Sequence, residues 1–162
     1  MEQTTVEREP LIIAHRGASA QAPENTLAAM QMAVETQADG VEFDVRLARD
    51  GVPVVIHDET LERTALRIGN VSDFTSKELG KIDVGLWFNA KYPKRSKSAF
   101  ACETIPTLDQ AMQILHDFRG LIYIELKAGD GDFRELSKAV CDIIRKSPLR
   151  RQVIVKSFKL AL

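Results

Sequence analysis

Apolar and polar positions in this 162-residue chain follow two different periods, and the places where one gives way to the other mark its elements. LIIAHRG, residues 11 to 17, is an apolar run broken by glycine. PENTLAAMQMAVETQ follows with apolar side chains at 27, 30 and 34, the spacing of one helix face, and with Asn25 or Thr26 placed to cap its start. In DGVEFDVRL the period drops to two. Val41, Phe43, Val45 and Leu47 share one strand face, while Glu42, Asp44 and Arg46 share the other. VPVVIHD is a further strand beyond Asp-Gly, and the two segments read as a hairpin. TLDQAMQILHDFRG is a capped helix ending in Gly, LIYIELK a strand, DFRELSKAVCDIIRKS a helix stopped by Pro148, and RQVIVKSF a last strand. Residues 59–104 are less regular, with a short helix in SDFTSKELGKID, and read as an insertion.

About five strands alternating with three full helices predict an α/β fold, in which a parallel sheet is covered on its outer face. The acidic face of DGVEFDVRL then points inward, where unpaired charge is costly. Something has to neutralise Glu42 and Asp44. Overall composition does not do so at a distance: 22 basic against 23 acidic residues leave a net charge of −1. That balance gives no footprint for nucleic acid or an anionic membrane surface. MEQTTVEREP is polar, and no run approaches the roughly 18 apolar residues of a membrane span, so a soluble cytoplasmic protein is expected. Cys102 and Cys141 lack metal-type spacing and read as reduced thiols.

Polar residues recur toward the C-terminal ends of four strands: His15 and Arg16, Glu42 and Asp44, His57 and Asp58, Glu125 and Lys127. Each is ordinary alone. An E-x-D on a strand is common, Lys127 alone reads as a surface residue, and His57 alone as a hydrogen-bonded core histidine. A parallel barrel, however, gathers its strand ends around one mouth, where active sites sit. Gathered there, Glu42, Asp44 and Glu125 offer the hard oxygen ligands of Mg²⁺ or Ca²⁺, which would also relieve their mutual repulsion. Arg16 and Lys127 supply positive charge for a phosphate. His15 and His57 belong to the one side-chain type that ordinarily titrates near neutrality, as a general acid and base require. The set describes metal-assisted attack at a phosphodiester. A basic run, Lys91, Lys94, Arg95 and Lys97, beside Trp87, Phe88 and Tyr92 reads as a solvated loop of the insertion.

HRGASAQAPENT, DGVEFDVRLARDGVPVVIHDETLERT, VGLWF, IPTLDQAM and IELK, in that order, closely resemble the glycerophosphodiester phosphodiesterase family, from about Leu11 to Phe158. The resemblance implies a TIM (β/α)8 barrel with a small insertion after the third strand, fitting residues 59–104. The chain then divides into a polar N-terminal segment, 1–10, and a barrel domain, 11–162. It also implies that His15 and His57 are acid and base, that Glu42, Asp44 and Glu125 hold a divalent cation, and that Arg16 and Lys127 bind phosphate. The implied reaction is hydrolysis of glycerophosphodiesters, such as glycerophosphocholine, to an alcohol and glycerol 3-phosphate, within glycerophospholipid metabolism.

A complete barrel of this kind takes about 250 residues. About the first five strands are therefore expected here, with LIIAHRG and RQVIVKSF as unpaired edges that favour self-association and weaken catalysis. Two alternatives stand beside the leading reading: a related barrel phospholipase of the sphingomyelinase D type, and a truncated remnant without catalysis.

Overall fold

A computed structural model of the chain describes residues 9–129 and 131–158. Most of the polar N-terminal segment 1–10, and residues 159–162, lie outside the described residues. The strands are β1 (Ile13–His15), β2 (Gly40–Leu47), β3 (Pro53–Val55), β4 (Leu121–Leu126) and β5 (Val153–Lys156). The helices are α1 (Leu27–Glu35), α2 (Glu62–Ala65), α3 (Ser76–Leu79), α4 (Leu86–Lys91), α5 (Leu108–Ile114) and α6 (Phe133–Lys146). Helix starts follow side-chain chemistry. Thr26 Oγ1 accepts from Ala29 N, and reciprocal Thr107–Gln110 and Thr75–Glu78 pairs open α5 and α3.

β1, β2, β4 and β5 run parallel in that spatial order, and β3 pairs antiparallel with β2 as the hairpin requires. The five expected strands are present, but His57 does not follow a parallel strand: it follows β3, which runs the other way. Even-numbered residues of β2 bond toward β1 and β3, odd-numbered ones toward β4. Gly17 N thus donates to Glu42 O and Ile56 N to Asp44 O, while Lys127 N donates to Val45 O. β1 and β3 therefore share one edge of β2 and meet end to end beside Asp44.

Val41, Phe43, Val45, Ile122, Ile124 and Leu126 form the outer face and pack with Met30, Leu108, Leu115 and Leu136 of the helices in one buried core. Burying each such side chain contributes about 1.5–3 kcal/mol before entropy is counted. Residues 59–104 have apolar clusters of their own. Leu61, Val71, Leu79, Ile82 and Val84 gather with Val54 and Ile56, and Phe88 stacks edge-on against Phe100. This material closes over the β3 side of the sheet and carries α2 to the rim where the polar residues collect.

Candidate active site

Register decides which polar residues meet. His15 stands beside Glu42 across β1 and β2, Asp44 beside Glu125 across β2 and β4, and Glu125 beside Lys156 across β4 and β5. Glu42 and Asp44 lie two apart, so all three carboxylates share the inner face. One oxygen from each lies within 4.8 Å of the other two, and all three residues are buried. Lys127 Nζ contacts Glu125 Oε1 and lies 3.4 Å from Asp44 Oδ1. Lys156 Nζ lies 3.1 Å from Glu42 Oε1 and 2.8 Å from Glu125 Oε2. Burial pushes the Glu125 carboxyl up, but the ammonium groups of Lys127 and Lys156 beside it outweigh burial and hold it below its ordinary value. Burial likewise works against the Lys156 ammonium, yet Glu125 and Glu42 keep it above its ordinary value.

Glu42 Oε1 and Glu125 Oε1 nonetheless accept no hydrogen bond of proper geometry, although an ammonium lies in ion-pair range of each. Charge proximity without a directed hydrogen bond leaves lone pairs to spare. A hard divalent cation satisfies such oxygens, so the donor set fits one.

β1 turns sharply after His15. Arg16 has φ 56° and Gly17 φ 72°, and a Cβ at Gly17 would lie 2.7 Å from Ala29 Cβ, so only glycine fits. The turn aims Arg16 N at Glu42 Oε2, 3.0 Å away, and its guanidinium inward. Arg16 Nη1 donates to Glu24 Oε1 at 2.7 Å, and Nε lies 3.4 Å from Asp44 Oδ2. Asn25, in the left-handed region at φ 59°, fills the gap where β1 and β3 meet. Its Nδ2 donates to Asp44 Oδ2 at 2.9 Å and its Oδ1 accepts from Asp44 N at 3.1 Å.

His15 is the open member of the group, its side chain 67% exposed and Nε2 3.8 Å from Glu42 Oε2. His57 Nδ1 lies 2.6 Å from Asp58 Oδ1. Partial burial raises the Asp58 carboxyl, but hydrogen bonds from Arg63 and His57 bring it down to about 2. An ionised carboxylate only accepts, so Nδ1 carries the proton in this contact and Nε2 is left for other chemistry. Arg46 straps the rim together, with Nε donating to His57 O at 2.8 Å and Nη1 to Lys127 O at 3.1 Å.

His15, Arg16, Glu42, Asp44, Glu125 and Lys127 thus form one contiguous cluster, whereas His57 joins it through Asp58, Arg63, Glu24 and Arg16. Sequence reasoning missed Lys156, set Arg46 on the inner face without a role, and placed Glu24, Asn25 and Arg63 within the family-like segments with no role beyond a helix cap for Asn25. One signal was available: in VIVK, Lys156 ends an apolar strand just as Lys127 follows LIYIEL.

The sequence model of the Glycerophosphoryl diester phosphodiesterase family matches residues 15–162. The chain is 42% identical over 148 residues to a glycerophosphodiester phosphodiesterase of Caldanaerobacter subterraneus subsp. tengcongensis, covering 91% of this chain and 58% of that one. A glycerophosphodiester phosphodiesterase of Bacillus subtilis is 34% identical over 153 residues, covering 91% of this chain and 52% of its own. The chain therefore spans little more than half the length of these relatives. Among solved structures, an Oleispira antarctica phosphodiesterase in complex with its product sn-glycerol-3-phosphate superposes with TM-score 0.83 at 34% identity, over 93% of this chain and 58% of that one. A glycerophosphodiester phosphodiesterase of Agrobacterium tumefaciens superposes with TM-score 0.78 at 37% identity, over 93% and 59%. The described sheet is a part of the (β/α)8 barrel expected of such proteins, and the chain belongs to the Glycerophosphoryl diester phosphodiesterase family.

Proposed function

We propose that the protein hydrolyses glycerophosphodiesters to an alcohol and glycerol 3-phosphate, in glycerophospholipid metabolism, with a divalent cation, Mg²⁺ or Ca²⁺, held by Glu42, Asp44 and Glu125. The observation that carries this reading is the convergence of three buried carboxylate oxygens within 4.8 Å, in a chain of this family. A bound cation would supply charge to polarise the phosphoryl oxygens. Arg16 and Lys127 hold the phosphate, Arg16 with two nitrogens and Lys127 as a point charge. His57, with its proton fixed on Nδ1, exchanges a proton through Nε2, and His15 does so from the end of β1. One withdraws the proton of the attacking group and the other protonates the leaving alkoxide.

The barrel domain spans 11–162 with 59–104 as its insertion. Two unpaired cysteines support a cytoplasmic setting. The described β1 and β5 are the outer parallel strands, and Leu11, Ile12, Ile154 and Val155 near them are exposed. For the 162-residue polypeptide by itself, self-association through these edges follows. A single monomeric species on sedimentation would exclude it. The activity is tested by assaying the chain on glycerophosphocholine with Mg²⁺ or Ca²⁺ and with a chelator. Turnover that needs the ion and disappears in Glu42→Gln is expected. No turnover with either ion would favour a non-catalytic remnant, and cleavage of sphingomyelin alone would favour the phospholipase alternative.

A further inference from the structure

Arg63 is one side chain with two carboxylates on its guanidinium. Its Nη1 donates to Glu24 Oε2 at 2.8 Å and its Nη2 to Glu24 Oε1 at 2.7 Å, a two-point pair, while Nε donates to Asp58 Oδ2 at 2.5 Å. Each carboxylate has a second partner at the rim. Glu24 Oε1 also takes Arg16 Nη1 at 2.7 Å, and Asp58 Oδ1 lies on His57 Nδ1 at 2.6 Å. The chain of contacts runs His57, Asp58, Arg63, Glu24, Arg16, without a break in hydrogen-bond distance. It ties the turn after β1 and the residues before α1, themselves joined where Asn25 N donates to Arg16 O at 3.0 Å, to the end of the hairpin and α2 of the insertion.

We propose that Arg63 is a positioning residue that sets the imidazole of His57 and the guanidinium of Arg16 relative to one another by gripping Asp58 and Glu24 at once. The inference rests on the proposed phosphodiesterase reading for the roles of His57 and Arg16. Only a planar fork with three bonded nitrogens serves both carboxylates, so lysine cannot replace it. The electrostatics agree. The hydrogen bonds that Arg63 donates to Glu24 and Asp58 raise its pKa, and Glu24, raised by burial, is brought below its ordinary value by Arg63 and Arg16. In Arg63→Gln, Asp58 loses its anchor, so Nδ1 of His57 loses the partner that fixes its proton there.

The test reads that proton directly. The chain has three histidines, so long-range ¹H–¹⁵N spectra of the imidazoles resolve each ring. With Arg63 in place, His57 should show the Nδ1–H tautomer. Arg63→Gln should shift it to a mixture rich in Nε2–H, with His15 and His116 unchanged, and should lower kcat/KM on glycerophosphocholine by about 10²-fold, the cost of misplaced reacting groups. Arg63 is 43% exposed, so the exchange does not open a core. Should the glutamine variant fail to fold, Arg63→Lys decides instead, a tautomer mixture being expected there as well. A folded variant of either kind with the unchanged Nδ1–H pattern would overturn the proposal. The spectrum needs no turnover, so an inactive chain would sink the phosphodiesterase reading while the tautomer still decides the role of Arg63.

Discussion

Val41, Phe43 and Val45 on one face of β2 are fully buried, and Glu42 and Asp44 on the other are 4% and 1% exposed, so the same strand has two interiors. The outer one is filled by helices and held by contact area, which has no direction. The inner one is held by named partners: Lys127, Lys156, Arg16 and Asn25 around three carboxylates. Equal depth therefore conceals unequal requirements. The outer face accepts any side chain of the right volume, whereas the inner face depends on charge and geometry together, and removing one member strands another.

The comparison breaks most visibly at Phe43. Phe43→Ala should cost about 3–5 kcal/mol in denaturant unfolding, the price of a ring-sized cavity. A loss under 1 kcal/mol would mean that the outer face is not the core. Next in size is the ion. Mg²⁺ or Ca²⁺ at about 100 times its dissociation constant should stabilise the fold by about 2.7 kcal/mol in thermal melts. Glu42→Gln and Glu125→Gln should lose that gain while Phe43 variants keep it, and an ion effect that survives both glutamine changes would separate the carboxylates from cation binding.

Acid should act only on the polar side. Asp58 drops from an ordinary 3.8 to about 2 on folding, so its contribution is complete above 3.8 and is lost as pH falls toward 2. Denaturant midpoints should decline over that window, and Asp58→Asn should flatten the decline. A variant with the unaltered slope would show that the ion pair with Arg63 does not stabilise the fold. The smallest effect concerns the helices behind the outer face. Thr107→Ala removes the hydroxyl that accepts from Gln110 N at the start of α5, for about 1 kcal/mol, with no change in ion binding.

Period-two alternation was enough to place Glu42 and Asp44 on one face, and repeated polar strand ends were enough to bring Glu125, Lys127, His15 and Arg16 to them. Those signals are local, and the folded neighbours follow because parallel strands align their ends. His57 shows the limit. Its strand was legible, and so was the hairpin, but the hairpin also means that β3 runs opposite to its neighbours. Arg63 and Glu24 are 39 residues apart and belong to different segments, so no spacing rule connects them. Asn25 was readable as a cap because its type favours caps, while its left-handed backbone and grip on Asp44 depend on the meeting of β1 and β3, which only the assembled sheet creates.

That meeting point also sets a clock. Along most of β2 the amide hydrogens are tied into backbone ladders on both edges, and they exchange with solvent only when strands part. The Asp44 amide is closed by the side chain of Asn25 instead, at 3.1 Å. Its deuterium uptake therefore follows the swing of a single asparagine, an event smaller and faster than unzipping a sheet. Because the same asparagine also holds the Asp44 carboxylate, one exchangeable hydrogen times the loosening of the carboxylate cluster in the resting protein, with no substrate or ion present.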